Sequence, residues 1–295
     1  MIERMKNRTE AKVAFLFLAP ALLLLIGILY PFGVAIYYSL TNFRLISPVM
    51  KFVGLKNYIL IITSEDFWHS VKVTTIFTVI AVSIEVILGL GIAHLLMGKG
   101  KLMNTLRLLV FTPMMIPPVI AAVIWKTMMA PDGVLNYLLS FIGIKKIAWL
   151  ASSDWALFSV ILIDIWLYLP FTTLILLSGL ESLPQEPFEA ARVDGASRFQ
   201  IFRYITVPLL RPFIILCIVF RVIDALKTFD IIYGTTKGGP IDATRVIQLA
   251  VYEEGLKWNN MGYALAEIMI LWLFAYLFSQ ITLRRLFFKK EMRQS

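Results

Sequence analysis

The sequence predicts an all-α membrane protein: six transmembrane helices, both termini cytoplasmic, and a short cytoplasmic helix between spans four and five. Three observations carry this. Apolar residues make up 59% of the 295 positions and charged residues only 16%, against roughly 25% charged in a soluble domain. Six apolar stretches approach or exceed the ~20 residues that a helix needs to cross a bilayer. Lys and Arg crowd the segments on one side of those stretches, which orients them.

The spans fall at about 13–40, 73–97, 105–128, 155–180, 205–226 and 262–283. No soluble block of domain size remains between them, so the chain reads as one transmembrane domain over 1–295. Within it, 13–40 is a peripheral first span and 73–283 a five-span core. The start imitates a secretory signal, with a basic front and an apolar run. However, Val13 to Phe43 holds no acid or basic side chain, a stretch longer than a signal core of roughly 7–15 residues. It is expected to stay as a spanning helix. Pro20 and Pro31 allow it to tilt, kink or break near Pro31. The third span contains Pro113, Pro117 and Pro118. Proline frees backbone carbonyls, which the membrane tolerates only where neighbours or a water-filled cavity satisfy them. A kinked packing helix and a helix lining a pathway are both open.

Charge sets the direction. With a cytoplasmic N-terminus, the inner segments hold Arg4, Lys6, Arg8, Lys12, Lys99, Lys101, Arg107, Arg192, Arg198, Arg203, Arg211, Arg284, Arg285, Lys289, Lys290 and Arg293. Their density is more than double that of the outer segments, as the positive-inside rule requires. The net charge of +9 therefore reads as membrane orientation and not as a nucleic-acid surface. The single cysteine, Cys217, lies in an apolar run and is expected to pack or meet lipid. His69 and His94 lie near opposite ends of span two and do not suggest a metal site.

The longest mixed polar segment, "EPFEAARVDGASRFQIFRYITVPLLRP", runs from Glu186 to Pro212. Pro184 and Pro187 suit a first helical turn, where the missing N–H is no loss. Glu186 and Glu189 favour the positive end of a helix. Gly195 is placed to end "FEAARVD" as a left-handed cap, and Ser197 to cap a second helix running into span five. Ala190 and Ala191 would allow close approach of another backbone. Phe188, Val193, Phe199, Ile201 and Phe202 are too many apolar side chains to leave beside water. A docking helix and an amphipathic interfacial loop both fit.

Inside the membrane, ionisable residues are costly and face the interior or a water cavity. Glu85, Asp164, Arg221 and Asp224 stand out. Arg221 and Asp224 share a helix face at i,i+3, and Thr228 continues that face. Asp164 lies roughly 13 Å from the outer end of span four at 1.5 Å per residue, near Trp166, Tyr168, Pro170 and Phe171. Such a set suits a sugar, with acceptors and donors beside aromatic plates. It suits equally an ion network that only holds helices together. Glu85 reads as a packing or gating residue.

The stretch "EAARVDGASRFQIFRYITVPLLRP" resembles the EAA loop of binding-protein-dependent ABC importer permeases. Its fixed points are Glu189, Ala190, Ala191, Asp194, Gly195, Ile205 and Pro208. "LAPALLLLIGILYPFGVAIYYSLTNF", "FVGLKNY" and "FDIIYGTTKGGP" are similar to the carbohydrate branch, which handles maltose, trehalose and glycerol phosphate types of substrate. The resemblance implies a multi-pass subunit of a prokaryotic cytoplasmic (inner) membrane. It implies a second related permease, usually a different chain, two ABC ATPase subunits and an extracytoplasmic solute-binding protein as partners. The EAA loop, residues 184–208, would hold a coupling helix docked in the ATPase through Glu189, Ala190, Ala191, Asp194 and Gly195. Positions matching the family's substrate contacts are Asp164, Leu167, Tyr168, Phe171, Arg221, Asp224, Ala225 and Thr228. Several related sites have amides or small residues where this chain has charges. The outer turn Thr236 to Pro240 and a short surface helix at 246–256 would lie near the binding protein.

No G-x-x-x-x-G-K-[ST] phosphate loop is present, nor an evident catalytic set. The chain reads as a transport subunit and not an enzyme, without a cofactor of its own, with ATP and Mg held by its partners. The alternative is a stand-alone proton-coupled transporter using Asp164, Glu85 and Asp224. Such proteins usually carry duplicated halves, and none is visible.

Overall fold

The structure, a computed structural model, describes residues 2–47 and 49–291, with side-chain surroundings for 17–47 and 49–284. The side chains of Arg4, Lys6, Arg8, Lys12, Arg285, Lys289 and Lys290, and the whole of Arg293, lie outside this description. The described residues form helices and turns, with one isolated bridge, Thr41 to Phe52. Among the described residues, five helices are long and apolar enough to cross a membrane, six if one bent pair counts as a span. The chain divides into two compact units. One takes in the residues up to Thr63 together with Val251–Met269, and the other Ser64–Ala250 and the residues from Ile270.

In the first unit, α1 (Ile2–Ser39) continues through Pro20 and Pro31 without a break, so the kink the sequence allows does not become an interruption. A turn leads to α2 (Lys56–Ile62). Asn57 Nδ2 donates to the carbonyls of Ser39 and Thr41 at 2.8 Å each. This satisfies backbone left open where α1 ends, since terminal carbonyls have no helical partner. Asn259 Oδ1 accepts from the Leu45 amide at 2.7 Å.

The second unit carries the polar intramembrane residues. α3 (Glu65–Leu95) opens with Ser64 accepting from the Phe67 amide and has Glu65 and Asp66 in its first turn, a signature of helix starts. α4 (Lys101–Phe111) runs into a 3₁₀ turn, Thr112–Met115. There the expected third span breaks: α5 (Pro118–Met128) leaves at 97° to the preceding piece. Ile116 is extended at φ −88°, ψ 125°, and Pro117 at φ −57°, ψ 140°. The physical reason is the pair of prolines, each of which pushes the residue before it out of helical geometry. A single kinked helix over 105–128 is thus corrected to two helices at nearly a right angle. α6 (Val134–Ser140) follows, then α7 (Ser153–Glu181), whose cap Ser152 accepts from the Asp154 amide.

α8 (Glu186–Val193) and α9 (Arg198–Ile201) form the two short helices expected from sequence between α7 and the next long helix. The first starts at Glu186, so Pro187 lies in its first turn and Pro184 lies before it. A π-helical turn, Phe202–Thr206, leads into α10 (Val207–Ala225). Pro208 falls just after this turn and cannot donate to the carbonyl four residues back, so the backbone bonding shifts there. α11 (Asp230–Thr235), α12 (Ile247–Tyr252) and α13 (Met261–Glu291) complete the chain. The segment expected as a surface helix at 246–256 starts buried: Val246, Ile247, Leu249 and Ala250 are covered. Its apolar run is core, and exposure returns only at Leu256.

α3, α7 and α10 pack on one another as the centre of the second unit. A Cβ at Gly89 on α3 would come within 2.8 Å of Thr172 on α7. Small residues at such crossings let membrane helices approach closely, where packing rather than hydrophobicity drives association. Near the ends of these helices, Ala93, Leu96, Leu176, Leu177, Leu180, Leu183 and Leu210 form one buried cluster on which Phe188 of α8 packs.

Candidate functional site

Arg221 is the hub of the site. It sits on α10, fully buried, and faces carboxylates from three helices. Its Nε donates to Glu85 Oε2 at 2.5 Å and its Nη2 to Glu85 Oε1 at 2.9 Å, a two-pronged pair with α3. Nη2 also donates to Asp164 Oδ2 on α7 at 2.7 Å, and Nη1 to Asp224 Oδ2 at 2.9 Å. Arg221 Cζ lies over the Tyr168 ring, 4.2 Å from its centroid. A planar cation with forked donors suits this crowding in a way that lysine cannot. Buried charges survive only when paired in this manner.

A cleft of about 160 Å³ opens beside the hub. Asp164, Tyr168, Asp224 and Thr228 line it, with Pro118, Lys227, Phe229, Asp230 and Ile231. Asp164 is 1% exposed, and while its Oδ2 is held by Arg221, its Oδ1 is buried without a hydrogen-bond partner. Asp224, by contrast, is 47% exposed at the side chain. Pro118 reaches the cleft because the proline break begins α5 there.

The residues expected from sequence separate into groups. Asp164, Tyr168, Asp224 and Thr228 gather at the cleft, with Arg221 behind them. Leu167 and Ala225 are buried at 2% and 1% and do not line it. Phe171 instead meets Phe220 edge to face. Glu85, read from sequence apart from this group, is the closest ion partner of Arg221. Lys227, Phe229, Asp230, Ile231 and Pro118 were missed. The first four lie within seven residues of Asp224 in sequence, and that proximity is the available signal.

The loop joining α7 to α10 is ordered by local chemistry. Gly195 stands at φ +75°, and its amide donates to the Arg192 carbonyl at 3.1 Å while the Ala196 amide donates to Ala191 at 2.9 Å. Ser197 and Gln200 form a reciprocal capping box. The apolar set divides. Phe188 packs inward and Phe202 meets the His94 ring, but Val193 and Phe199 are 88% and 74% exposed. Glu189, Ala190 and Asp194 face outward, and Ala191 is half-buried. His69 Nε2 lies 3.0 Å from the Asp242 carbonyl oxygen. Among the described residues no cluster could hold a metal ion.

Comparison with known proteins places this arrangement. Residues 85–284 match the family model described as binding-protein-dependent transport system inner membrane component. The trehalose/maltose transport system permease protein MalF of Thermococcus litoralis is 39% identical over 264 residues, covering 89% of this chain and 88% of that protein. The trehalose transport system permease protein SugA of Mycobacterium tuberculosis is 33% identical over 260 residues, covering 86% and 81%. In fold, the chain is similar to a crystal structure of a bacterial ABC transporter involved in import of the acidic polysaccharide alginate. That match has a TM-score of 0.82 at 22% identity and covers 96% of this chain and 98% of that one. Matched over most of its length by the family model and by relatives at this level of identity, the chain belongs to the binding-protein-dependent transport system inner membrane component family.

Proposed function

We propose that this protein is the membrane-spanning permease subunit of an ATP-driven ABC importer for a sugar or sugar derivative, delivered by an extracytoplasmic solute-binding protein. It works in the inner membrane with a second, different permease and two ATPase subunits, which hold ATP and Mg. The chain acts as one permease domain, with its termini and the α8–α9 hairpin on the cytoplasmic side. Family membership and the sugar permeases among the relatives support this reading over a stand-alone proton-coupled transporter.

The observation that carries the mechanism is the connection between two elements. The hairpin joins α7 to α10, the helices that present Asp164 and Arg221. An ATPase gripping α8 through Glu189, Ala190, Ala191 and the Asp194–Gly195 turn therefore pulls on both walls of the cleft. Exposed Val193 and Phe199 supply apolar surface for that grip. Rigid-body displacement of a short helix is an established way to open and close a packed bundle. Asp164, Tyr168, Asp224 and Thr228 then offer the sugar acceptors, a donor and an aromatic plate. Leu167, Phe171 and Ala225 shape the helices around it, and Arg221 holds the carboxylates in place.

The test is co-purification and energetics. The subunit should purify with an ATPase, and uptake of sugar should stop on ATP depletion and continue with a protonophore. Uptake abolished by the protonophore with ATP intact would overturn the reading.

A further inference from the structure

We propose that the cleft beside Asp164 selects sugars by charge, accepting neutral or cationic polyhydroxylated ligands and excluding anionic ones such as uronic acids and sugar phosphates. This rests on the sugar-importer reading and deepens it, because membership of the family leaves the charge of the sugar open.

Four carboxyl groups stand at or directly behind the cleft: Glu85, Asp164, Asp224 and Asp230. They face two cations, Arg221 and Lys227. Acids outnumber bases there by four to two. Arg221 has four of its five N–H donors already committed to carboxylates. Those four go to Glu85, Asp164 and Asp224, and the Tyr168 ring centroid lies 4.2 Å from Cζ. An anionic ligand approaching the guanidinium meets these three carboxylates. Lys227 lines the cleft together with Asp224 and Asp230.

The second observation is a buried oxygen without a partner. Asp164 is buried at 1%, lines the cleft, and leaves Oδ1 with no donor. A buried acceptor without a donor is costly, and native structures rarely leave one. A hydroxyl or ammonium group of a sugar in the cleft supplies that donor. A carboxylate or phosphate brings only another acceptor. The Tyr168 ring beside it offers the apolar face that a sugar ring covers.

The test uses the assembled complex in lipid nanodiscs. Cys217 is replaced by Ala, and Thr228→Cys introduces one thiol at the cleft. Its rates of modification by a cationic trimethylammonium and an anionic sulfonate methanethiosulfonate are compared. Ile241→Cys, at a position 91% exposed, is the reference. Clefts with one sign of charge raise counter-ion concentration by about ten-fold or more, so the cation-to-anion ratio should be about ten times higher at 228 than at 241. Asp224→Asn should bring it down several-fold, and trehalose or glucosamine should protect the thiol where glucuronate does not. Equal ratios at both positions, or protection by glucuronate equal to that by glucosamine, would overturn charge selection while leaving the importer reading intact. A raised ratio with no protection by any sugar would overturn the sugar site itself. If Thr228→Cys does not assemble, Phe229→Cys takes its place. No reaction at either position would show a cleft closed to ligands and would also overturn the proposal.

Discussion

Arg221 and Glu85 meet as a two-pronged pair, Nε to Oε2 at 2.5 Å and Nη2 to Oε1 at 2.9 Å, with both side chains no more than 1% exposed. The pair ties α10 to α3, and the same guanidinium reaches α7 through Asp164. Breaking one partner strands a buried charge, whereas replacing the whole group by apolar side chains removes the need for pairing. Arg221→Met should therefore cost about 3–5 kcal/mol. Adding Glu85→Leu and Asp164→Leu should recover part of that loss. Thermal unfolding of the complex in detergent measures both; a single variant as stable as the parent would refute the hub.

Asp164→Ala should lower sugar uptake by at least about tenfold while stimulation of ATP hydrolysis by the binding protein stays within about twofold, since a hydrogen bond to a charged acceptor is worth roughly 1.5–3 kcal/mol. The pair of assays separates a sugar contact from a structural ion. Uptake and sugar affinity unchanged in both Asp164→Ala and Asp224→Ala would rule out the site.

Tyr168→Phe retains the ring over Arg221 and over any sugar, and Tyr168→Leu does not. The expected order of uptake is parent, then Phe, with Leu lowest by roughly tenfold, the equivalent of about 1–2 kcal/mol of cation–π and ring contact. Equal uptake by Phe and Leu variants would show that the ring does nothing there.

Gly195 has φ +75°, and a Cβ built on it meets nothing within 4 Å. The penalty for a side chain is thus conformational and not steric. Gly195→Ala should cost about 1 kcal/mol, and Gly195→Asn less, because Asn tolerates the left-handed region. Gly195→Pro cannot take a positive φ at all. It should leave the protein inserted but uncouple ATP hydrolysis from uptake. Normal uptake by Gly195→Pro would refute the lever.

Val193 and Phe199 are exposed on the hairpin. Val193→Asp with Phe199→Asp should reduce ATPase co-purification several-fold with thermal stability unchanged within about 0.5 kcal/mol, as for surface substitutions generally. Intact co-purification would place the ATPase contact elsewhere.

The spans, their order and the hairpin were legible because each depends on local chemistry. Hydropathy over a window identifies a membrane helix, and Gly195 and Ser197 act on backbone within a few residues of themselves. The same local reading foresaw that Arg221 and Asp224 would share a face. It failed where distant neighbours decide. The prolines at 117 and 118 announced a disturbance, but the 97° break depends on what the two halves pack against. The apolar run after Thr244 reads alike on a surface or in a core, and its first turns went to the core.

Glu85 shows the boundary most sharply. Its partner lies 136 residues away along the chain, and Asp164 lies 57 residues from the same guanidinium. Chain composition and spacing dictate that these charges must find partners, since bare ions are not tolerated in a bilayer. Which carboxylate takes which prong, which oxygen of Asp164 is left open, and which side chains wall the cleft follow from the packing of α3, α7 and α10. Helix propensity and hydropathy are properties of neighbours in sequence, whereas ion pairing and cavity shape are properties of neighbours in space.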